Sequence, residues 1–121
     1  MITNFEEITK ELSETEKLLL EPLIEILEKT NKEKPILSRE LESELKLVDV
    51  KFGGARLRKL TNFIRCNRII PLIATSKGYY ISNNREDIET EIKSLRERAN
   101  SINNAADGLE SFLNPQMKMQ L

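Results

Sequence analysis

Cationic side chains crowd one stretch of this chain: Arg56, Arg58, Lys59, Arg65 and Arg68, then Lys77 a little further on. Guanidinium and ammonium groups bind anions, and phosphate oxygens are their commonest multivalent target. Between Lys46 and Arg85 there are nine cations and one acid, Asp49, a net charge of +8. The whole chain of 121 residues carries −1, so the remainder carries −9. Such segregation predicts a polyanionic partner for the middle segment. A basic face that only offset acidic helices would leave the two signs intermixed.

Other chemistries lack their residues. Histidine is absent, which removes the commonest general base and metal ligand. No P-loop, GxGxxG or GxSxG spacing occurs. Cys66 is the only cysteine, so neither an intrachain disulfide nor a thiolate cage can form, and it is read as a half-buried structural cysteine. The many carboxylates stand at helical spacing beside lysines, as on solvated helix faces. The sequence therefore predicts a non-enzyme without cofactor or metal. No apolar run approaches the ~20 residues that span a bilayer. The acidic start "MITNFEEITKEL" lacks the order of a signal peptide, so a cytoplasmic location is expected.

The elements that must position these cations follow from the pattern. Ser13 and Glu16 have the S-x-x-E spacing of a capping box. Leu19, Leu20, Leu23, Ile24, Ile26 and Leu27 then make an apolar stripe to about Thr30, with Pro22 expected to kink or divide the helix. Residues 1–12 are an extension with a short helix through Phe5, Ile8 and Leu12. Pro35-Ile36-Leu37 reads as a short extended edge. Ser38 is expected to cap "RELESEL", with Leu41 and Leu45 inward. After the looser "KLVDVKFGG", Leu57, Leu60 and Ile64 place one buried stripe on a helix over 55–66, closed by a left-handed Asn67. Strands are predicted at 69–74 and 79–82, joined through Thr75-Ser76-Lys77-Gly78 with positive φ at Gly78. Pro71 cannot donate to a ladder, which puts its strand at an edge. The core is expected to be Leu and Ile, because aromatics are few and tryptophan is absent.

The C-terminal part changes rhythm. Ile88, Ile92, Leu95, Ala99, Ile102, Ala106, Leu109 and Leu113 follow one another in alternating steps of four and three. A 3.5-residue period calls for a partner helix. With Ile92, Ala99 and Ala106 at a positions, Glu91 falls at g and Arg96 at e, where they would attract across a parallel pair. Gly108 weakens the helix, and the tail at 114–121 is expected to be flexible.

The order helix, extended edge, helix, turn, basic helix, hairpin resembles the winged helix-turn-helix plan. "LSRELESEL", "ARLRKLTNFIRCNRII" and "ATSKGYYIS" are similar to the stretch from second helix through wing in that superfamily. The Lys-Gly-Tyr is similar to the wing of biotin-repressor-type domains, and the whole chain to small bacteriophage- or prophage-encoded proteins of this type. The resemblance implies a mainly α fold with a small antiparallel hairpin (α+β), its winged domain at 13–83; the heptad seam adds a long dimerisation helix at 84–113. The resemblance also implies that the helix at 55–66 enters the major groove of double-stranded DNA. On the outward positions Arg56, Lys59, Asn62 and Phe63, the first three would meet base edges. Arg58, Arg65, Arg68 and Lys77 would meet phosphates. A homodimer would read two half-sites, in the role of a transcriptional or replication regulator. The alternative is a protein-interaction module binding a host or replisome protein; single-stranded nucleic acid fits less well, since stacking aromatics are scarce in the basic stretch.

Overall fold

The computed structural model describes residues 9–113. They form α1 (Glu14–Glu28), α2 (Ser38–Leu45), α3 (Gly54–Cys66), β1 (Leu72–Thr75), β2 (Gly78–Ile81) and α4 (Arg85–Glu110), then a single 3-10 turn at Ser111–Leu113. The class is thus mainly α with one antiparallel hairpin. The chain divides into two compact units at the Asn84–Arg85 junction.

The first unit is built around leucine. Leu19, Leu20, Leu23 and Leu27 of α1, Leu41 and Leu45 of α2, and Leu57, Leu60 and Ile64 of α3 share one cluster with Leu12, Phe52 and Leu72. Phe5 and Ile8 lie outside the described residues. Phe52 corrects the expectation of a purely Leu/Ile core. Its segment lacks periodicity, yet a hydrogen bond from Phe52 N to Asp49 O (2.9 Å) folds the turn so that the ring is buried.

Local chemistry explains most boundaries. Ser13 N donates to Glu16 Oε1 (2.8 Å) and Glu16 N to Ser13 Oγ (3.1 Å), the reciprocal cap expected from the spacing. Pro22 sits inside α1 without dividing it. Its missing N–H deprives the Leu18 carbonyl of its helical donor, and Leu18 is 70% exposed, so that loss falls on the solvent side of the helix. Helix α2 begins one residue earlier than expected: Leu37 is the N-cap, its N–H donating to Glu40 Oε1 (3.2 Å), and Ser38 is already helical.

The end of α3 differs from expectation in an informative way. Asn67 keeps a negative φ of −95° and Arg68 takes the left-handed position instead, with φ 57°. Ile69 N donates to Ile64 O (3.0 Å) and Arg68 N to Arg65 O (3.1 Å), the paired closure of a Schellman motif. This closure, with Pro71 behind it, keeps Ile69 and Ile70 out of the strand, so β1 starts at Leu72 rather than 69.

The hairpin is tight. Thr75 pairs with Gly78, leaving Ser76 and Lys77 as the loop, and positive φ falls on Gly78 (125°) as expected. Ile36 forms a bridge to Tyr79 on the other side of β2, with Ile36 N to Tyr79 O at 2.9 Å and Tyr79 N to Ile36 O at 2.7 Å. The extended edge foreseen at Pro35–Leu37 therefore flanks β2, and β1, preceded by Pro71, is the opposite edge. Thr30 fastens this small sheet to α1: its hydroxyl donates to Leu27 O (2.6 Å) and accepts from Ile81 N (3.2 Å).

In the second unit, α4 is a continuous helix of 26 residues, about 39 Å long at the usual rise. Gly108 does not interrupt it. Ile88 and Leu95 are half-buried, while Ile92, Ala99 and Ala106 are exposed. Ile102 and Leu109 are 70% and 71% exposed, so none of the described residues covers the distal apolar seam. Glu91 is buried and already engaged in the chain. The tail at 114–121 lies outside the described residues.

Candidate functional site

Helix α3 carries the cations, and its packing decides which of them reach solvent. Leu57, Leu60, Thr61 and Ile64 are buried; Ala55, Arg58, Lys59, Asn62 and Cys66 are exposed. Phe63 and Arg56 lie on a covered flank, with Phe63 packed against the core. The solvent-facing strip therefore centres on Asn62, with Arg58 on one side and Lys59 on the other.

Two of the three expected base readers are occupied by the protein's own carboxylates. Lys59 Nζ lies 2.8 Å from Glu16 Oε1, joining residues 43 positions apart. Arg56 Nη1 lies 2.6 Å from Asp49 Oδ2, and its Nε stands 4.0 Å from Glu16 Oε2. The N-terminal turn of α1 and the α2–α3 turn thus bracket Arg56 and Lys59 and neutralise them. Lys59 faces outward as expected but is paired, whereas Arg56 is half-buried on the flank rather than outward. A three-residue stripe locates the buried side of a helix, but not which flank a neighbouring helix will cover.

Glu16 is the hub of that network. Burial pushes its carboxyl pKa up, but the Lys59 hydrogen bond, the Ser13 N–H, the Lys59 charge and the Ser13 hydroxyl outweigh it, and the net shift is downward from 4.5. A carboxylate whose folded pKa is depressed stabilises the fold above its ordinary value and loses that stabilisation as pH falls through the folded one. Urea melts of the parent are therefore expected to show stability falling as pH drops below about 4.5, a loss to which Glu16 contributes. Glu16→Gln should remove that contribution and cost about 1–2 kcal/mol at neutral pH, through the cap and the ion pair together. An unchanged acid limb in the variant would show that the pairing has no energetic role.

The remaining predicted residues divide by what holds them. Arg65 is half-buried and its Nε donates to Leu72 O (3.0 Å), which ties α3 to β1; that hydrogen bond is structural. Arg58, Arg68 and Lys77 are exposed and form no ion pair with a described carboxylate, and the same holds for Lys46 and Lys51 in the turn. The Asn62 amide is exposed and has no partner among the described residues. Cys66 is exposed rather than half-buried, at the C-terminal end of the same strip.

Arg68 merits its own test, since a left-handed non-glycine residue costs about 1 kcal/mol. Arg68→Gly is expected to raise stability by roughly that amount in a urea melt, unless the side chain makes a compensating contact. A gain in stability without loss of binding would deny the arginine a binding role.

Among the described residues no group of histidine, cysteine and acids could hold a metal ion, and no helix is long and apolar enough to cross a membrane. What the arrangement leaves exposed and unpaired among the described residues is a set of donors: Asn62 and Arg58 on the helix, Arg68 at its end, and Lys77 at the hairpin tip. Comparison with known proteins adds no template for this set, because neither a family model nor a curated protein nor a solved structure matches the chain.

Proposed function

We propose that residues 13–83 form a winged helix-turn-helix unit and that the protein binds double-stranded DNA as a homodimer. In this reading α3 is the recognition helix, the β1–β2 hairpin is the wing, and the protein acts in the cytoplasm as a phage-type transcriptional or replication regulator, without catalysis or cofactor. The observation that carries it is the sorting of cations. Acids of the same chain neutralise Arg56 and Lys59, whereas Arg58, Asn62, Arg68 and Lys77 keep unpaired donors on the solvent-facing side. Arg58 and Asn62 are the base-edge readers on this geometry, Arg58 suited to guanine and Asn62 to adenine. Arg68 and Lys77 meet phosphates on either side. The exposed apolar seam of α4, Ile92 through Leu109, pairs two copies and gives the complex its two-fold.

The test is selection of bound fragments from random duplex DNA at two salt concentrations, followed by affinity measurements on the recovered site. Counterion release predicts a steep fall of affinity with salt. Asn62→Ala should cost roughly 1–3 kcal/mol at particular base pairs and little on unrelated sequence. A salt-independent affinity, or no enriched site, would defeat the reading.

A second reading has its own support in the turn between α2 and α3. Leu47 and Val50 there are 84% and 81% exposed, and Val48 is exposed beside them. Such apolar exposure suits a protein partner better than a phosphate backbone. A protein-interaction module docking a host or replisome protein would use this turn. In that case Leu47→Ser with Val50→Ser would abolish partner capture while Asn62→Ala would not.

A further inference from the structure

Two largely covered carboxylates are aimed at the cationic helix. Asp49 is the only acid between Lys46 and Arg85, and its Oδ2 takes Arg56 Nη1 at 2.6 Å. Glu16 reaches α3 from the first turn of α1, where its Oε1 accepts both Ser13 N and Lys59 Nζ at 2.8 Å. Asp49 Oδ1 in turn accepts from Lys51 N (3.2 Å). Backbone donors thus fix both acids in place, while the cations that they hold stay partly open to solvent.

Stability is a weak reason for this arrangement, since a partly exposed ion pair contributes about 0–1 kcal/mol. Its effect on binding a polyanion is larger. Each cation that neutralises a phosphate makes affinity vary as salt to the power of about −0.9, roughly eightfold between 1 M and 0.1 M. Five cations lie on α3 and its end: Arg56, Arg58, Lys59, Arg65 and Arg68. Withholding two of them removes up to roughly sixtyfold in affinity. That loss is unequal among DNA sequences. On unrelated sequence the contact is electrostatic, and the protein slides until each free cation meets a phosphate. On its own site, base contacts by Arg58 and Asn62 fix the register, and Arg56 and Lys59 would gain only where a phosphate stands within reach.

We propose that Glu16 and Asp49 are specificity-determining residues: by holding Lys59 and Arg56 they depress sequence-independent DNA binding and leave discrimination to Arg58 and Asn62. The inference rests on the DNA reading and deepens it, giving a role in target selection to two acids that contact no base. Competing genomic sites make the ratio of affinities, rather than affinity alone, the quantity that decides occupancy. Weakening the wrong complex raises that ratio as effectively as strengthening the right one.

Full-length parent, Glu16→Gln, Asp49→Asn and the double variant are titrated against the selected duplex and an unrelated duplex of equal length. A salt series is run for each, with circular dichroism confirming the fold. Gln and Asn keep an oxygen for Ser13 N and Lys51 N, so both turns retain their acceptors. Should Glu16→Gln fail to fold, Asp49→Asn carries the test alone. Each single variant should bind the unrelated duplex several-fold tighter, with a salt slope steeper by nearly one. Each should gain less on the selected duplex, so that the ratio of the two affinities falls. Adding Lys59→Ala to Glu16→Gln, or Arg56→Ala to Asp49→Asn, should cancel the gain, which a purely structural role for the acids does not predict. If the variants match the parent on both duplexes, or gain equally on both, the proposal is overturned while the DNA reading stands on the parent's preference for its site. If selection yields no site, or parent and variants alike leave duplex unbound, the DNA reading falls and the proposal falls with it.

Discussion

On the proposed pairing, a chain carrying both Ile102→Asp and Leu109→Asp should sediment as a monomer while the parent sediments as a dimer. Both side chains are at least 70% exposed in the single chain and both fall at d positions of the seam. In an isolated helix, such replacements cost only a few tenths of a kcal/mol of propensity. In a paired helix they place four carboxylates in an apolar seam, and each buried charge without a partner costs several kcal/mol. A shift of at least a thousandfold in the dimer constant follows, equivalent to about 4 kcal/mol. Affinity for a two-half-site duplex should fall roughly a hundredfold with it, because the second half-site contact is no longer intramolecular. The contrary result is equally clear. A parent that is monomeric at tens of micromolar, with a melting curve unchanged by both substitutions, would leave the seam for another occupant and remove pairing from the proposed function.

Gly78→Ala should be the most damaging single small substitution in the wing. Gly78 holds φ 125°, a conformation that L side chains rarely adopt, and an added Cβ would stand 2.4 Å from Ile36 O and 2.7 Å from Ile36 C. Those atoms are backbone and cannot swing away as a side-chain end could. Either the Ile36–Tyr79 bridge opens or the hairpin twists off Thr30. Strain of about 1–3 kcal/mol, together with two weakened hydrogen bonds of about 1 kcal/mol each, gives a loss of at least about 3 kcal/mol. For a unit of this size that lowers the melting temperature by roughly 12–24 °C. Gly108→Ala is the matched control: nothing lies within 4 Å of its would-be Cβ, and it is inside α4. It should instead gain up to about 1 kcal/mol of helix stability. A Gly78→Ala protein that melts with the parent would mean that the wing and the Ile36 edge are not in close contact in solution.

Both expectations depend on features of different visibility in the sequence. The heptad seam is purely local: steps of four and three mark one face of a helix whatever surrounds it. The capping box of α1 is equally local, since Ser13 and Glu16 satisfy each other's backbone within one turn. Positive φ at Gly78 followed from its place after a short polar loop. Its second role, admitting the Ile36 carbonyl, did not, because Ile36 is far away in sequence. Cys66 and Phe52 show the same limit in opposite directions. The thiol proved exposed and the phenyl ring buried, and in each case the deciding neighbours come from other elements.

The candidate site was legible as a cluster of cations and not as a surface. Arg58, Asn62, Arg68 and Lys77 reach solvent as their types suggest, whereas Arg56 and Lys59 do not act as free donors. Charge type is a property of each residue, but whether a cation is available depends on which acid folds against it. Lys59 meets Glu16 across 43 residues, and Arg56 meets Asp49 across seven through an irregular turn.

By itself, then, the sequence determined the helices, the capping box of α1, the leucine stripes, the hairpin and the heptad seam of α4, because each is enforced by hydrogen bonds or periodicity within a few residues. Tertiary structure alone decided which cations are neutralised and which ring fills the core. Those outcomes depend on contacts between segments whose approach is set by packing the whole core, and no local pattern encodes them.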